Sequence, residues 1–246
     1  MLEKAFDNYV SNYDLDDLNI KLKYNHSYRV MRLQEKYAKL LNFSDDDIEL
    51  AKLIGLLHDI GRFEQLKVYN TYNDGLSVDH ADYSVEQLFD KNQIENFTKR
   101  KDWYPIIKFA IQNHNKHLIE KVDDERVLMH AKLIRDTDKI DIIYLLGVLD
   151  ELKSRATDEP IDLDVIESIK QHKTAKRKDN HTKNDKYAIQ MAFTFDIYND
   201  ICLKEFKENF KVYYKRLNGE KIFKDIYTEI IKYIDERIEK YERNRN

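Results

Sequence analysis

The segment from Leu50 to Ile60 is apolar except for Lys52 and an adjacent ionisable pair, His58-Asp59, near its end. A run that is apolar around most of the helical circumference belongs at the centre of a core. It constrains the fold twice. Other elements must surround it, and something must compensate an imidazole and a carboxylate desolvated side by side: hydrogen bonds, a counter-ion or a metal ion. Gly61 is expected to end the helix, and Arg62 follows with a guanidinium suited to a phosphate.

The surrounding elements are expected to be helices. The chain has 246 residues but only five Gly and two Pro, and sheets need the turns those residues make. Charged residues make up 36% and are mixed in sign, as on amphipathic helices with solvated outer faces. A net charge of −4 supplies no general basic field, which argues against sequence-independent binding to long nucleic acid. The single cysteine, Cys202, excludes an intramolecular disulfide. No apolar run reaches about 18 residues, so no membrane span is expected. The start Met1-Leu2-Glu3-Lys4 lacks the layout of a signal peptide, and a soluble cytoplasmic protein is the expectation. No repeat or clear linker divides the chain. One all-α domain, a single helical bundle over residues 1–246, is therefore expected, with its core at about 20–150 and a C-terminal helical extension at about 151–246.

Several further polar residues fall on apolar faces. After a short amphipathic helix at residues 2–10, a helix from Tyr24 to about Leu41 carries His26, Val30, Leu33, Tyr37 and Leu40 at steps of three or four, which puts His26 on the buried stripe. Ser44 is placed to cap the next helix, with Asp45 and Asp46 in its first turn. Residues 63–78 read as a loop long enough for a substrate lid or wall. Asp79 is the expected cap of a helix holding Val85, Leu88 and Phe89, with His80 in its first turn. Pro105 fits the first turn of another helix, on which Ile107, Ala110 and Ile111 share a side with His114. His117, in more polar company, is expected at the surface or in a supporting role. A long helix then runs from Asp123-Asp124 to about Leu152. Its stripe is Val127, Ala131, Ile134, Asp138 and Leu145, which makes Asp138 the buried carboxylate, Asp136 the solvated one and Asp141 a flanking group.

From Ser154 to about Lys186 the periodicity weakens, and the basic run Lys173 to Lys178 reads as a solvated face or as a loop reaching for phosphate. The rest is helical and aromatic-rich, with Ile222, Ile226, Ile230, Tyr233, Ile234 and Ile238 on one stripe. Each buried polar residue has an ordinary explanation alone: a hydrogen-bonded core histidine, a helix-start residue, an internal ion pair. Together they sit one or two per helix on different helices, as the ligands of a metal centre inside a bundle must.

The ordered set of His26, His58-Asp59 and Asp138, the last within Thr137-Asp138-Lys139-Ile140, resembles the HD-domain superfamily of metal-dependent phosphohydrolases. His80 and His114 are similar in order and spacing to the two further histidines of members with two metals. Asp-Ile-Gly-Arg at Asp59 is similar to the Asp-Ile-Gly-Lys of many members. The resemblance covers roughly residues 20–150. Asn113-His114-Asn115 stands where cyclic-di-GMP phosphodiesterases of the superfamily have paired histidines, and their Gly-Tyr-Pro signature is missing. That subgroup is set aside, and a second metal is expected to be held more weakly or differently.

The resemblance implies a divalent ion at His26, His58, Asp59 and Asp138, and a second at His80 and His114 with Asp59 bridging. Each chain would carry one or two ions (Mn, Fe, Co, Ni, Zn or Mg). The implied activity is cleavage of a phosphate ester or anhydride of a nucleotide or related small molecule by a metal-activated hydroxide, with monoester and diester cleavage unresolved. Asp59 and Arg62 are the expected catalytic residues. Arg62 would clamp phosphate or, equally, cap its helix through a salt bridge, and Lys116 and the run near Lys176 are alternative clamps. The partner is then a small phosphate substrate, with oligomer formation left open. The alternative function is a metal-binding regulatory or ligand-sensing domain with little turnover.

Overall fold

Short polar side chains set where the helices of the N-terminal half begin. In the computed structural model, which describes residues 2–149, 155–176, 178 and 180–244, α1 spans Leu2–Val10 and α2 spans Leu18–Leu40, capped by Asp17. Helix α3 (Asp45–Leu57) starts at Ser44, whose hydroxyl accepts from the Asp47 backbone N–H, with three aspartates in its first turn. Each such cap satisfies a backbone donor that the helix itself leaves unpaired. Helices α4 (Gly61–Tyr69), α5 (His80–Val85, capped by Asp79), α6 (Tyr104–Asn113, with Pro105 in its first turn) and α7 (Glu125–Val148) follow. No strand occurs among the described residues, so the fold is all-α, as the scarcity of turn residues predicts.

The chain separates into two compact units, Met1–Asp138 and Lys139–Asn246, and the division falls inside α7. In the first unit α3 is the central rod. Leu50, Ala51, Leu53, Ile54, Leu56 and Leu57 are all buried. Helix α2 packs closely on it because Gly55 leaves room: a Cβ there would lie 2.7 Å from Gln34 Cγ and 3.0 Å from Met31 Cα. The buried face of α2 is Ser27, Val30, Met31, Gln34 and Ala38 with His26 and Tyr37 beside it, whereas Leu40 is exposed. The second unit contains α8 (Leu163–Lys170), α9 (Lys183–Met191), α10 (Leu203–Leu217) and α11 (Glu220–Arg243). Its core includes Val165, Ile189, Phe206, Phe210, Tyr213, Phe223, Ile226, Ile230 and Ile234. The expected end of the long helix near Leu152, the proposed internal boundary near residue 150 and Arg177 of the basic run lie outside the described residues. Among the described residues no helix is long and apolar enough to cross a membrane.

Three expectations need correction. Residues 63–69 are helical, in α4, so the connection before α5 is confined to residues 70–79. Gly61 begins that helix instead of ending one. None of the glycines has positive φ, and the left-handed positions fall to Asn42, Asn70, Asn92, His172 and Asn218. Gly61 is needed for proximity instead: its Cβ would lie 2.6 Å from Ser84 N. Asp136 is fully buried rather than solvated. Residues 133–141 of α7 are buried on every face, and a helix buried all round offers no apolar stripe against which to sort its carboxylates.

Candidate metal centre

The six candidate ligands arrive from α2, the α3–α4 turn, α5, the end of α6 and α7, and each is at least nine-tenths buried. His26 projects from α2. His58 is the C-terminal cap of α3, and Asp59 follows it in the turn to α4. His80 is the first residue of α5, held there by the Asp79 cap. His114 caps the end of α6, whose last carbonyls accept hydrogen bonds from the buried Arg135 of α7, 2.5 Å from Asn113 O. A guanidinium at this end complements the helix dipole.

The ligand atoms form two groups that share one carboxylate. His26 Nε2 and His58 Nε2 lie 3.2 Å apart, at 3.6 and 3.7 Å from Asp59 Oδ2. Asp138 Oδ1 is 3.2 Å from His26 Nε2 and 3.5 Å from His58 Nε2. On the other side, His80 Nε2 and His114 Nε2 lie 3.1 Å apart, at 3.6 and 3.7 Å from Asp59 Oδ1. Asp59 thus turns one oxygen to each group. Each of the sets His26–His58–Asp59, His58–His114–Asp138 and Asp59–His80–His114 is close enough to hold one ion.

The proton inventory shows that this arrangement fits a cation. His58 Nδ1 faces Gly55 O at 2.8 Å and His114 Nδ1 faces Ile111 O at 2.6 Å. A carbonyl oxygen only accepts, so each Nδ1 carries the hydrogen and each neutral ring turns its Nε2 lone pair inward. His80 Nδ1 meets Asp74 Oδ2 at 2.5 Å, with the same consequence. With both rings neutral, the 3.1 Å contact between His80 and His114 joins two acceptors. Asp59 Oδ1, which faces both, accepts no hydrogen bond among the described residues. Buried lone pairs converging in this way are costly without a positive charge among them. Imidazole nitrogen and carboxylate oxygen are ligands suited to borderline divalent metals.

The electrostatics agree. Burial pushes the His58 imidazole below its ordinary value and, with Arg62 adding to the effect, takes His80 down to about 4. Burial alone would raise the Asp59 carboxyl, but the Lys23 ammonium, its largest opposing charge, holds the group well below the usual range. Asp138 is likewise held well below the usual range, chiefly by its hydrogen bond with His26. Near neutral pH His58 and His80 are thus neutral and Asp59 and Asp138 ionised, the protonation states that bind metal.

Arg62 lies beside the centre rather than in it. Its Nη1 donates to Gln65 Oε1, Tyr72 O and Asp74 Oδ1 at 2.7–2.8 Å, and its Nε is 3.8 Å from Asp59 Oδ1. It pins the 70–79 connection, and with it the Asp74 that orients His80. Lys116 pairs with Glu120, and His117 is exposed.

Sequence reasoning missed Lys23, Asp74 and Arg135. The first had a readable signal, since three residues before His26 is the same helical face. Asp74 is in an irregular segment and Arg135 in a helix without a stripe, and neither carries a periodic signature. A further group, Asp162, Asp164 and His181, is close enough for metal, but Lys178 pairs with Asp164. The Lys178 backbone N–H also donates to His181 Nδ1 at 3.2 Å, which leaves the hydrogen on Nε2.

Comparison with known proteins agrees with this geometry. The HD domain family model matches residues 24–143, and this segment of the chain is an HD domain. The match spans all six ligand candidates. HD domains bind divalent metals, and their superfamily is made up mostly of metal-dependent hydrolases. No curated protein and no solved structure matches the chain significantly.

Proposed function

We propose that the protein is a metal-dependent phosphohydrolase that cleaves a phosphate ester or anhydride of a nucleotide or related small molecule. His26, His58, Asp59 and Asp138 would hold one divalent ion, and His80, His114 and the second oxygen of Asp59 another. The observation that carries the reading is the pair of facing Nε2 atoms of His80 and His114 beside Asp59 Oδ1, which accepts no hydrogen bond among the described residues. Divalent ions at such a centre supply an activated water and Lewis acidity toward a phosphoryl oxygen.

The chain's own residues do the rest. The Gly55 and Ile111 carbonyls and the Asp74 carboxylate lock three imidazoles in the ligating tautomer. Such outer partners fix ring orientation and raise ligand basicity. The side chains that keep some exposure are Asp74 at 31%, Lys23 at 16%, Arg62 at 12%, Asp138 at 11% and His80 at 10%. They mark the side from which a substrate reaches the centre, and two of them are cationic.

The test is to strip the protein of metal, reload it with Mn²⁺, quantify the bound ion and follow substrate cleavage by chromatography of the products. The substrates are nucleotides, cyclic nucleotides and dinucleoside polyphosphates. Hydrolysis is expected only in the loaded protein, and Asp59→Ala is expected to lose both metal and turnover. Metal-loaded protein that cleaves none of these would refute the activity, and full activity in the metal-free variant would refute the centre.

A further inference from the structure

The two oxygens of Asp59 are in unlike circumstances. Oδ1, toward His80 and His114, has no hydrogen-bond donor among the described residues. Oδ2, toward His26 and His58, is 2.6 Å from the ammonium of Lys23. Lys23 reaches it from α2, one turn before His26, and its Nζ is 5.8 Å from the centroid of the Tyr72 ring. The ammonium is therefore seated on the carboxylate oxygen that an ion between His26, His58 and Asp138 would take. Two cations in contact with one oxygen repel strongly in a buried setting, so an ion entering there must expel the ammonium. An ion between His80 and His114 need expel nothing.

Once expelled, the ammonium must find another partner. It hangs on a flexible four-carbon stem at a partly exposed edge of the centre, next to where a substrate bound to that centre would lie. We propose that Lys23 is a substrate-binding residue that exchanges partners. It pairs with Asp59 when the first ion position is empty, and it holds a phosphoryl oxygen of the substrate when the position is filled. The second half of this statement rests on the phosphohydrolase reading, whereas the first rests only on the metal centre.

The exchange is tested by calorimetric titration of wild type, Lys23→Met, Lys23→Gln and Lys23→Arg, with helical circular dichroism as a check on folding. Mn²⁺ is titrated into metal-free protein, and inorganic phosphate into Mn²⁺-saturated protein. Removing the ammonium is expected to tighten the Mn²⁺ site that includes His26 and His58 by about tenfold, because nothing then competes for Asp59. The same change is expected to weaken phosphate by about tenfold, while Lys23→Arg keeps phosphate binding. A lysine with a merely structural role would not tighten metal binding when lost. Mn²⁺ affinity that is unchanged or weaker in both neutral variants would overturn the displacement, and unchanged phosphate affinity would overturn the phosphate role. Absence of Mn²⁺ binding to the wild type would overturn the metal-centre reading itself, and this inference with it.

Discussion

Gly61→Ala should damage the centre without touching a ligand. A Cβ at residue 61 would stand 2.6 Å from Ser84 N and 2.9 Å from both Ser84 Cα and Ser84 Oγ. Two of these are backbone atoms of α5, so no rotamer change relieves the contact. Ordinary van der Waals separation requires α4 and α5 to part by about 0.8 Å. That movement also stretches the 2.9 Å bond from Gly61 N to Ser84 Oγ, the hydroxyl that in turn donates to His80 O. Overpacking of this kind costs about 1–3 kcal/mol, and weakening the buried hydrogen bond adds about 1 kcal/mol. The better helix propensity of alanine returns less than about 1 kcal/mol. The net expectation is a loss of about 2 kcal/mol, read as a fall of about 1 M in the urea midpoint at a slope of about 2 kcal/mol per M. Because His80 opens α5, its displacement from Asp59 should also weaken Mn²⁺ binding by about tenfold. A midpoint equal to wild type would refute the close-approach argument. A lowered midpoint with unchanged Mn²⁺ affinity would refute the link between helix docking and His80.

Two other outcomes are expected. Asp74→Asn removes the charge that orients His80 through its Nδ1 and should weaken one Mn²⁺ site by about 10- to 100-fold; two-site calorimetry that finds both affinities unchanged would contradict it. Asp47 gives an acid-stability prediction. Burial alone would raise its carboxyl, but hydrogen bonds from Ser44, His130 and Arg126 hold it at about 2, against an ordinary 3.8. A folded value below the unfolded one stabilises fully above the unfolded value, so roughly 2 kcal/mol is present above about pH 4 and lost as pH falls through 2. The stability difference between wild type and Asp47→Asn should therefore be present at pH 5 and largely gone near pH 2, and a difference that does not change with pH would refute it.

What could be read in the sequence follows from where periodicity and capping chemistry operate. Ser44 and Asp79 announce α3 and α5 because a short polar side chain before an apolar run has one obvious use. His26, His58-Asp59, His114 and Asp138 could be picked out because each falls on an apolar face or closes a helix, and His80, at a helix start, through the family resemblance; the structure brings all six together. Asp136 was misread because α7 is buried on all sides there. Gly61 was misread because a glycine needed for close approach looks the same, in one sequence, as a glycine needed to end a helix. The carbonyls of Gly55 and Ile111 had no signal at all. They are backbone atoms, and which imidazole they meet depends on how the turns after α3 and α6 are cut.

The shared carboxylate of Asp59 also shapes how such a protein can change over generations. On the reading proposed here, loss of His80 or His114 would leave a one-ion protein with its other position intact, so that side can be shed in a single substitution. Loss of Asp59 strips both positions at once, because Oδ1 and Oδ2 serve opposite sides of the centre. Drift toward a simpler centre would run through the histidines of α5 and α6, and the turn after α3 would be the last part to vary.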